Sequence, residues 1–97
     1  MNFKEMLNKA NENGILVWRL VAASEVDQYL ENEEIEVSDE EFEQISDFVY
    51  DWIIHTDASP AEVVDALVSV VQANDKYTFA DIARYWNEIT LEVNNRF

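Results

Sequence analysis

The 97-residue sequence has no cysteine and only one glycine, one proline and one histidine. Without cysteine there are no disulfides, thiolate metal ligands or cysteine nucleophiles, which fits a reducing, cytoplasmic location. One histidine excludes the two-histidine zinc motifs, and one glycine excludes glycine-rich phosphate loops. We interpret that histidine, His55, as a structural residue at a helix end rather than a catalytic one. We therefore expect no enzyme activity, no cofactor and no metal site.

Basic residues are missing from a long internal segment. From Leu20 to Asp75, 56 consecutive residues carry sixteen acidic side chains and no lysine or arginine, and the whole chain has a formal net charge of −15. Nucleic acids and anionic membranes are bound through lysine and arginine, so neither is expected as a direct partner. Crowded like charges oppose the compact state, but they steer cationic partners toward a protein.

Apolar residues are plentiful enough for one small folded domain. They make up 48 % of the chain, and twelve of them are aromatic, which separates this sequence from disordered polyanions. The length allows a single domain, residues 1–97. The apolar run 15–23 is interrupted by Arg19 and is too short to span a bilayer, so we expect a soluble protein.

Helix punctuation favours an all-α fold. Gly14 is expected to end a first helix, 2–13, as its C′ residue. Ser59, Pro60 and Glu62 together form the strongest start signal, because they combine an N-cap, a residue preset for the first turn and an acidic acceptor at N3. The helix that follows is broadly apolar and is expected at the centre of the core.

Three further helix starts are marked by serine or threonine with an acid three residues later. They are Ser24 with Asp27, Ser38 with Glu41, and Thr78 with Asp81. Residues 15–21 fit either a buried strand or a buried helical turn, and their periodicity does not decide between the two. We therefore expect a compact all-α bundle of four or five short helices, with one short extended segment at 15–21 as the open alternative.

The helix predicted over 39–55 has an unusual acidic face. Carboxylates four residues apart form a ladder of Asp39, Glu43, Asp47 and Asp51. Like charges at this spacing oppose helix formation by about 0.2–0.5 kcal/mol per pair, and the helix N-terminus compensates only the first turn. Tyr50 and Ile54 lie beside the ladder, where tyrosine suits an interface anchor. Burial of these two residues by the N-terminal helix or by a dimer contact explains them equally well.

This acidic region is where we expect the function to lie, although a merely solvated helix face would show the same charge run. The expected partner-binding residues are Glu31, Glu33, Glu34, Glu36, Asp39, Glu40, Glu43, Asp47, Tyr50, Asp51 and Ile54. Six carboxylates between residues 39 and 51 give about one charge per 3 Å, close to the phosphate spacing along one DNA strand. Carboxylates also accept bidentate arginine, as phosphates do. The expected partner is a positively charged nucleic-acid-binding protein.

In this acidic, helical character the chain resembles small anti-defence proteins of phages and plasmids, namely DNA-mimic antirestriction and anti-CRISPR proteins. The resemblance rests on overall character rather than on a motif, so it implies a class of function and no individual residues. It implies an inhibitor that competes with DNA or RNA on a host enzyme. Two alternatives remain open: an immunity protein or antitoxin that neutralises a basic nuclease, and a structural homodimer through Tyr50, Ile54 or Tyr85.

Overall fold

The computed structural model describes residues 14–97, with side chains described from Trp18 onward. This range contains helices and no strand. The helices are α1 (Gly14–Asn32), α2 (Asp39–His55), α3 (Pro60–Ala73) and α4 (Trp86–Asn94), with a short 3₁₀ helix at Phe79–Asp81 before α4. The predicted all-α bundle is confirmed. The helix predicted over 2–13 lies outside the described residues.

α3 is the central element of the core, as its sequence predicted. It packs against α1, α2 and α4. Its buried residues are Val63, Val64, Ala66, Leu67, Val68, Val70 and Val71. Pro60 occupies the first turn, where a missing N–H leaves no helical hydrogen bond unmade. The Ser59 side chain makes no capping hydrogen bond, so this start depends on Pro60 and on the Ser59 carbonyl, which accepts from the Val63 N–H at 3.0 Å.

α1 runs unbroken through positions where other structure was predicted. Residues 15–21 are helical, so the extended alternative is wrong. Ser24 lies inside α1 rather than at its start, and Gly14 is helical without a positive φ. A stripe at four-residue spacing is buried along α1: Trp18, Ala22, Val26 and Leu30. Burying a large apolar side chain gains about 1.5–3 kcal/mol, which outweighs the roughly 1 kcal/mol that a serine cap offers.

α1 ends in a Schellman motif centred on Glu34. The Ile35 N–H donates to the Leu30 carbonyl at 2.9 Å, and the Glu34 N–H donates to the Glu31 carbonyl at 3.2 Å. Glu34 has φ 56°, the left-handed conformation that glycine usually supplies at this C′ position. The motif turns the chain out of α1 and into the connector 35–38.

α2 has the predicted bounds and the predicted cap. The Glu41 N–H donates to Ser38 Oγ at 3.2 Å, and the Ser38 N–H donates to a Glu41 carboxylate oxygen at 3.0 Å. This reciprocal pair is the capping box that the Ser38 and Glu41 spacing predicts. The buried face of α2 consists of Ile45, Phe48, Val49 and Ile53. Its opposite face therefore carries the acidic residues toward solvent.

The last helix starts later than the sequence predicts. Instead of one helix from Thr78, the chain forms the 3₁₀ helix and a turn, and α4 begins only at Trp86. Gln44 on α2 provides the reason. Its side-chain amide donates to the Ala80 carbonyl, and its side-chain oxygen accepts from the Ala83 N–H at 3.0 Å. These backbone groups are thus bonded to α2 rather than to a regular helix, and Thr78 Oγ1 donates to Asp81 instead of capping.

Candidate functional site: an acidic surface at the α1–α2 junction

A dense row of exposed carboxylates joins the end of α1 to the first turns of α2. We call it the exposed row, and its members are Glu31, Glu33, Glu34, Glu36, Asp39, Glu40 and Glu43. No side chain of the exposed row makes an ion pair with another residue in the range 18–97. Seven of the eleven residues predicted from the sequence therefore lie together, and none of them has an ion pair within residues 18–97.

The helix dipole compensates part of this charge. Asp39, Glu40 and Glu41 occupy the first turn of α2, where negative side chains are stabilised by about 0.3–1 kcal/mol each. Glu43 lies beyond that turn, and the acids at the end of α1 lie near a helix C-terminus, where the dipole disfavours negative charge. The row therefore contains carboxylates that the fold stabilises and others that it does not.

The middle of the predicted ladder differs, because a cation from α1 reaches it. Arg19 Nη1 lies 3.1 Å from Asp47 Oδ1, and the Arg19 guanidinium lies 4.5 Å from the centre of the Tyr50 ring. Tyr50 and Ile54 are also half-buried against the core. Arg19 thus neutralises Asp47 and contacts the Tyr50 ring, a contact across 28 residues that sequence reasoning missed.

The end of the ladder has a different local environment. His55 Nδ1 lies 2.8 Å from the Asp51 carbonyl oxygen, and because that oxygen only accepts, Nδ1 carries the proton. The same nitrogen is 3.5 Å from Asp51 Oδ1. His55 is exposed in the last turn of α2, where the dipole favours a cation. Eight residues, about 12 Å along the helix, separate Asp51 from Glu43, the last member of the exposed row, so Asp51 is not part of that row.

A concave pocket lies within the α1–α2 junction, and we call it the acid-rimmed pocket. It is lined by four carboxylates, which we call its rim, and by four apolar residues, which we call its floor. The rim residues are Asp27, Glu31, Glu36 and Asp39, and the floor residues are Leu30, Ile35, Val37 and Phe42. Its volume is about 630 Å³. Sequence reasoning missed Asp27 as a site residue by assigning it to a helix start. Its four-residue spacing to Glu31 on one helix face is the signal that could have identified it.

The pocket and its surroundings do not form a compact cluster of metal ligands. Within residues 18–97, no three Asp, Glu, His or Cys side chains converge closely enough to hold a metal ion. The same described range contains no helix with the length and hydropathy needed to cross a membrane. The carboxylates of the exposed row are spread along a surface.

Elsewhere on the molecule, acidic side chains hydrogen-bond or pair with other residues of the same chain. Tyr29 donates to Asp65 Oδ1 at 2.9 Å, and burial together with this bond raises the pKa of Tyr29 to about 12. Lys76 lies 2.7 Å from a Glu88 carboxylate oxygen. Hydrogen bonds from Lys76 and Tyr77 lower the pKa of Glu88, and the bond to Glu88 raises the pKa of Lys76. These groups stabilise the charge of carboxylates outside the exposed row.

Comparison of this chain with protein-family models, with curated proteins and with solved structures finds no match.

Proposed function

We propose that this protein is an acidic, non-catalytic inhibitor of the antirestriction or anti-CRISPR type. It binds the basic nucleic-acid-binding surface of another protein in the host cytoplasm and competes there with DNA or RNA. The single observation that supports the proposal is the exposed row, in which seven carboxylates without an ion pair among the described residues 18–97 occur within thirteen residues, Glu31 to Glu43. Such a surface attracts cationic partners over long range and repels nucleic acid itself.

The carboxylates of the exposed row can occupy a partner surface that binds phosphates. Arginine forms bidentate hydrogen bonds with carboxylates as it does with phosphates. The charges continue from a turn onto a helix, so they are spread along the surface rather than concentrated at one point. We assign the contact to the exposed row rather than to the whole ladder, because Asp47 pairs with Arg19 and Asp51 lies 3.5 Å from the His55 ring, which pairs with it when protonated.

The homodimer alternative has less support from the geometry. Tyr50, Ile54 and Tyr85 are half-buried against this chain's own core, so they offer limited surface to a second copy. An immunity protein that neutralises a basic nuclease would use the same exposed row, and the two inhibitory functions differ only in the target.

The test is a pull-down from host lysate at low and high salt, followed by identification of the bound proteins. A nucleic-acid-binding protein should be captured and should elute as salt rises, since screening weakens charge-steered contacts. Three members of the exposed row are neutralised in one variant, E33Q/E40Q/E43Q. At about 0.2–1 kcal/mol per exposed charge contact, binding should weaken by about tenfold.

The matched control removes the same charge elsewhere, with Glu25→Gln, Glu62→Gln and Asp75→Asn. This variant should bind nearly as well as the parent protein. Asp47 is left intact in both variants because its loss would unpair Arg19. Equal weakening by both variants, or capture of no nucleic-acid-binding protein, would contradict the proposal.

A further inference from the structure

We infer that the acid-rimmed pocket binds an arginine side chain of the partner protein. The aliphatic stem of that arginine lies on the apolar floor, and its guanidinium hydrogen-bonds with the carboxylates of the rim. This inference rests on the proposed function and specifies how the partner is recognised. The acid-rimmed pocket adds a concave shape and an apolar floor, which the exposed row alone does not have.

The floor of the pocket is built by backbone motifs that fix its shape. Ile35, Val37 and Phe42 are half-buried, so each presents part of an apolar surface, and Leu30 is almost fully buried beside them. The hydrogen bond from the Ile35 N–H to the Leu30 carbonyl fixes one side. The capping box at Ser38 fixes the other side, next to Val37. A pocket formed in advance costs little ordering entropy on binding.

Charge complementarity selects a cationic occupant. No side chain of the rim makes an ion pair within the described part of the chain, and the four carboxylates line the same concavity. These carboxylates would repel an anion or a nucleic acid. A neutral apolar group would cover the rim and desolvate its charges without compensation, which is unfavourable. A cation with an apolar stem satisfies both the rim and the floor.

Arginine fits this combination better than lysine. Its guanidinium is planar and weakly hydrated and has five donors, so it can bond to carboxylates placed around a rim. Its flat face can also stack on an aromatic ring such as Phe42. The lysine ammonium is compact and strongly hydrated, so it loses more on leaving water. The pocket, at about 630 Å³, is larger than one side chain and also admits neighbouring residues of the partner.

The experiment is a titration of the full ¹⁵N-labelled chain with three hexapeptides, followed by NMR. One peptide alternates leucine with arginine, the second has lysine in place of arginine, and the third has citrulline, a neutral analogue. The arginine peptide should shift amides mainly between residues 27 and 42. Its Kd should be at least about threefold lower than that of the lysine peptide, and the citrulline peptide should not bind.

Two variants with the same net charge separate the pocket from the general field. The rim variant is D27N/E31Q, and the matched variant is E40Q/E43Q. Binding of the arginine peptide should weaken by about tenfold in the rim variant, the loss of two charge-assisted contacts, and by about twofold in the matched variant. Val37→Thr, which keeps the side-chain shape, should weaken the arginine peptide more than the lysine peptide. Thermal unfolding confirms that each variant folds, and the rim variant removes repulsion, so its folding is not expected to suffer.

The outcomes separate this inference from the proposed function. Equal Kd values for arginine and lysine peptides, or equal losses in the two charge variants, would show delocalised attraction and overturn the pocket. A captured nucleic-acid-binding protein that still binds the rim variant fully would overturn the pocket alone. An arginine peptide bound in the pocket, with no nucleic-acid-binding protein captured from lysate, would overturn the proposed function alone.

Discussion

Replacing Glu34 with glycine is expected to stabilise the protein. Glu34 occupies the C′ position of a Schellman motif with φ 56°. A residue with a Cβ atom pays about 1–2 kcal/mol for this left-handed conformation. Glycine pays nothing there, but it gains freedom in the unfolded chain, which reduces the benefit by about 0.4–1 kcal/mol. The net gain in the free energy of unfolding is therefore about 0.5–1 kcal/mol.

The assay is urea unfolding followed by tryptophan fluorescence, together with thermal unfolding. At about 4–8 °C per kcal/mol for a domain of this size, Tm should rise by roughly 2–8 °C. The slope of the urea transition should not change, because the variant exposes the same surface on unfolding. Glu34→Gln serves as the charge control, and it should change the free energy of unfolding by less than about 0.5 kcal/mol, as most surface substitutions do.

Glu33→Gly is the decisive comparison. It introduces glycine into the same turn and removes the same charge, but Glu33 does not have a positive φ. It should therefore destabilise the protein by about 0.5–1 kcal/mol, through the unfolded-state entropy of glycine alone. The two glycine variants should thus differ by about 1–2 kcal/mol, the size of the left-handed penalty itself. If Glu34→Gly is no more stable than the parent, or if the two variants are equal, the reasoning is wrong.

Three other predictions concern contacts that join separate elements. Arg19→Gln should lower the free energy of unfolding by about 1 kcal/mol at low salt, because it removes one exposed ion pair and one cation–π contact. In urea unfolding the loss should be smaller when Asp47→Asn is already present, and an equal loss would contradict the contact. Gln44→Met should lower the free energy of unfolding by about 1–2 kcal/mol, because it removes two hydrogen bonds to the backbone. Hydrogen exchange of the Ala83 amide should become faster, and unchanged exchange would contradict the role of Gln44. Tyr29→Phe should cost about 1 kcal/mol below pH 10, after discounting a two-unit pKa shift for partial exposure. Because the folded pKa of Tyr29 is raised to about 12, that difference should shrink as pH rises from 10 to 12, and a constant difference across this range would count against the Tyr29 hydrogen bond.

Local sequence signals predicted helices correctly where the tertiary contacts agreed with them. The Ser38 and Glu41 spacing gave the right start for α2, and Pro60 gave the right start for α3. The signals failed where packing was stronger. Ser24 was overridden by the buried stripe of α1, and the start at Thr78 was overridden by the hydrogen bonds of Gln44. The hydrophobic pattern of the sequence does not predict that Gln44 lies next to Ala80 and Ala83.

The candidate site was predictable in its charge but not in its shape. The run of acids without lysine or arginine marked the exposed row directly. The separation of Asp47 from that row was not predictable, since it requires α1 to place Arg19 beside α2. The acid-rimmed pocket was also not predictable, because the turn that follows α1 has Glu34 in a left-handed conformation that glycine usually occupies. A side chain with a carboxylate at that position looks like one more acid in the run.

The uneven distribution of partners is the strongest reason to regard the exposed row as functional. Of the twelve described acids outside the row, seven have a side-chain hydrogen bond or an ion pair, and Asp57 also has a polar or electrostatic contact. The seven are Glu41, Asp47, Asp51, Asp65, Asp81, Glu88 and Glu92. Within the row, none of the seven has such a partner among residues 18–97. Acidity kept only for solubility would tolerate an intervening lysine, which relieves repulsion at i, i+4 spacing by about 0.2–0.5 kcal/mol per pair. The row instead keeps its repulsion and a left-handed glutamate in the same short segment. Uncompensated repulsion on one exposed surface is the pattern expected when a partner supplies the opposite, positive charge.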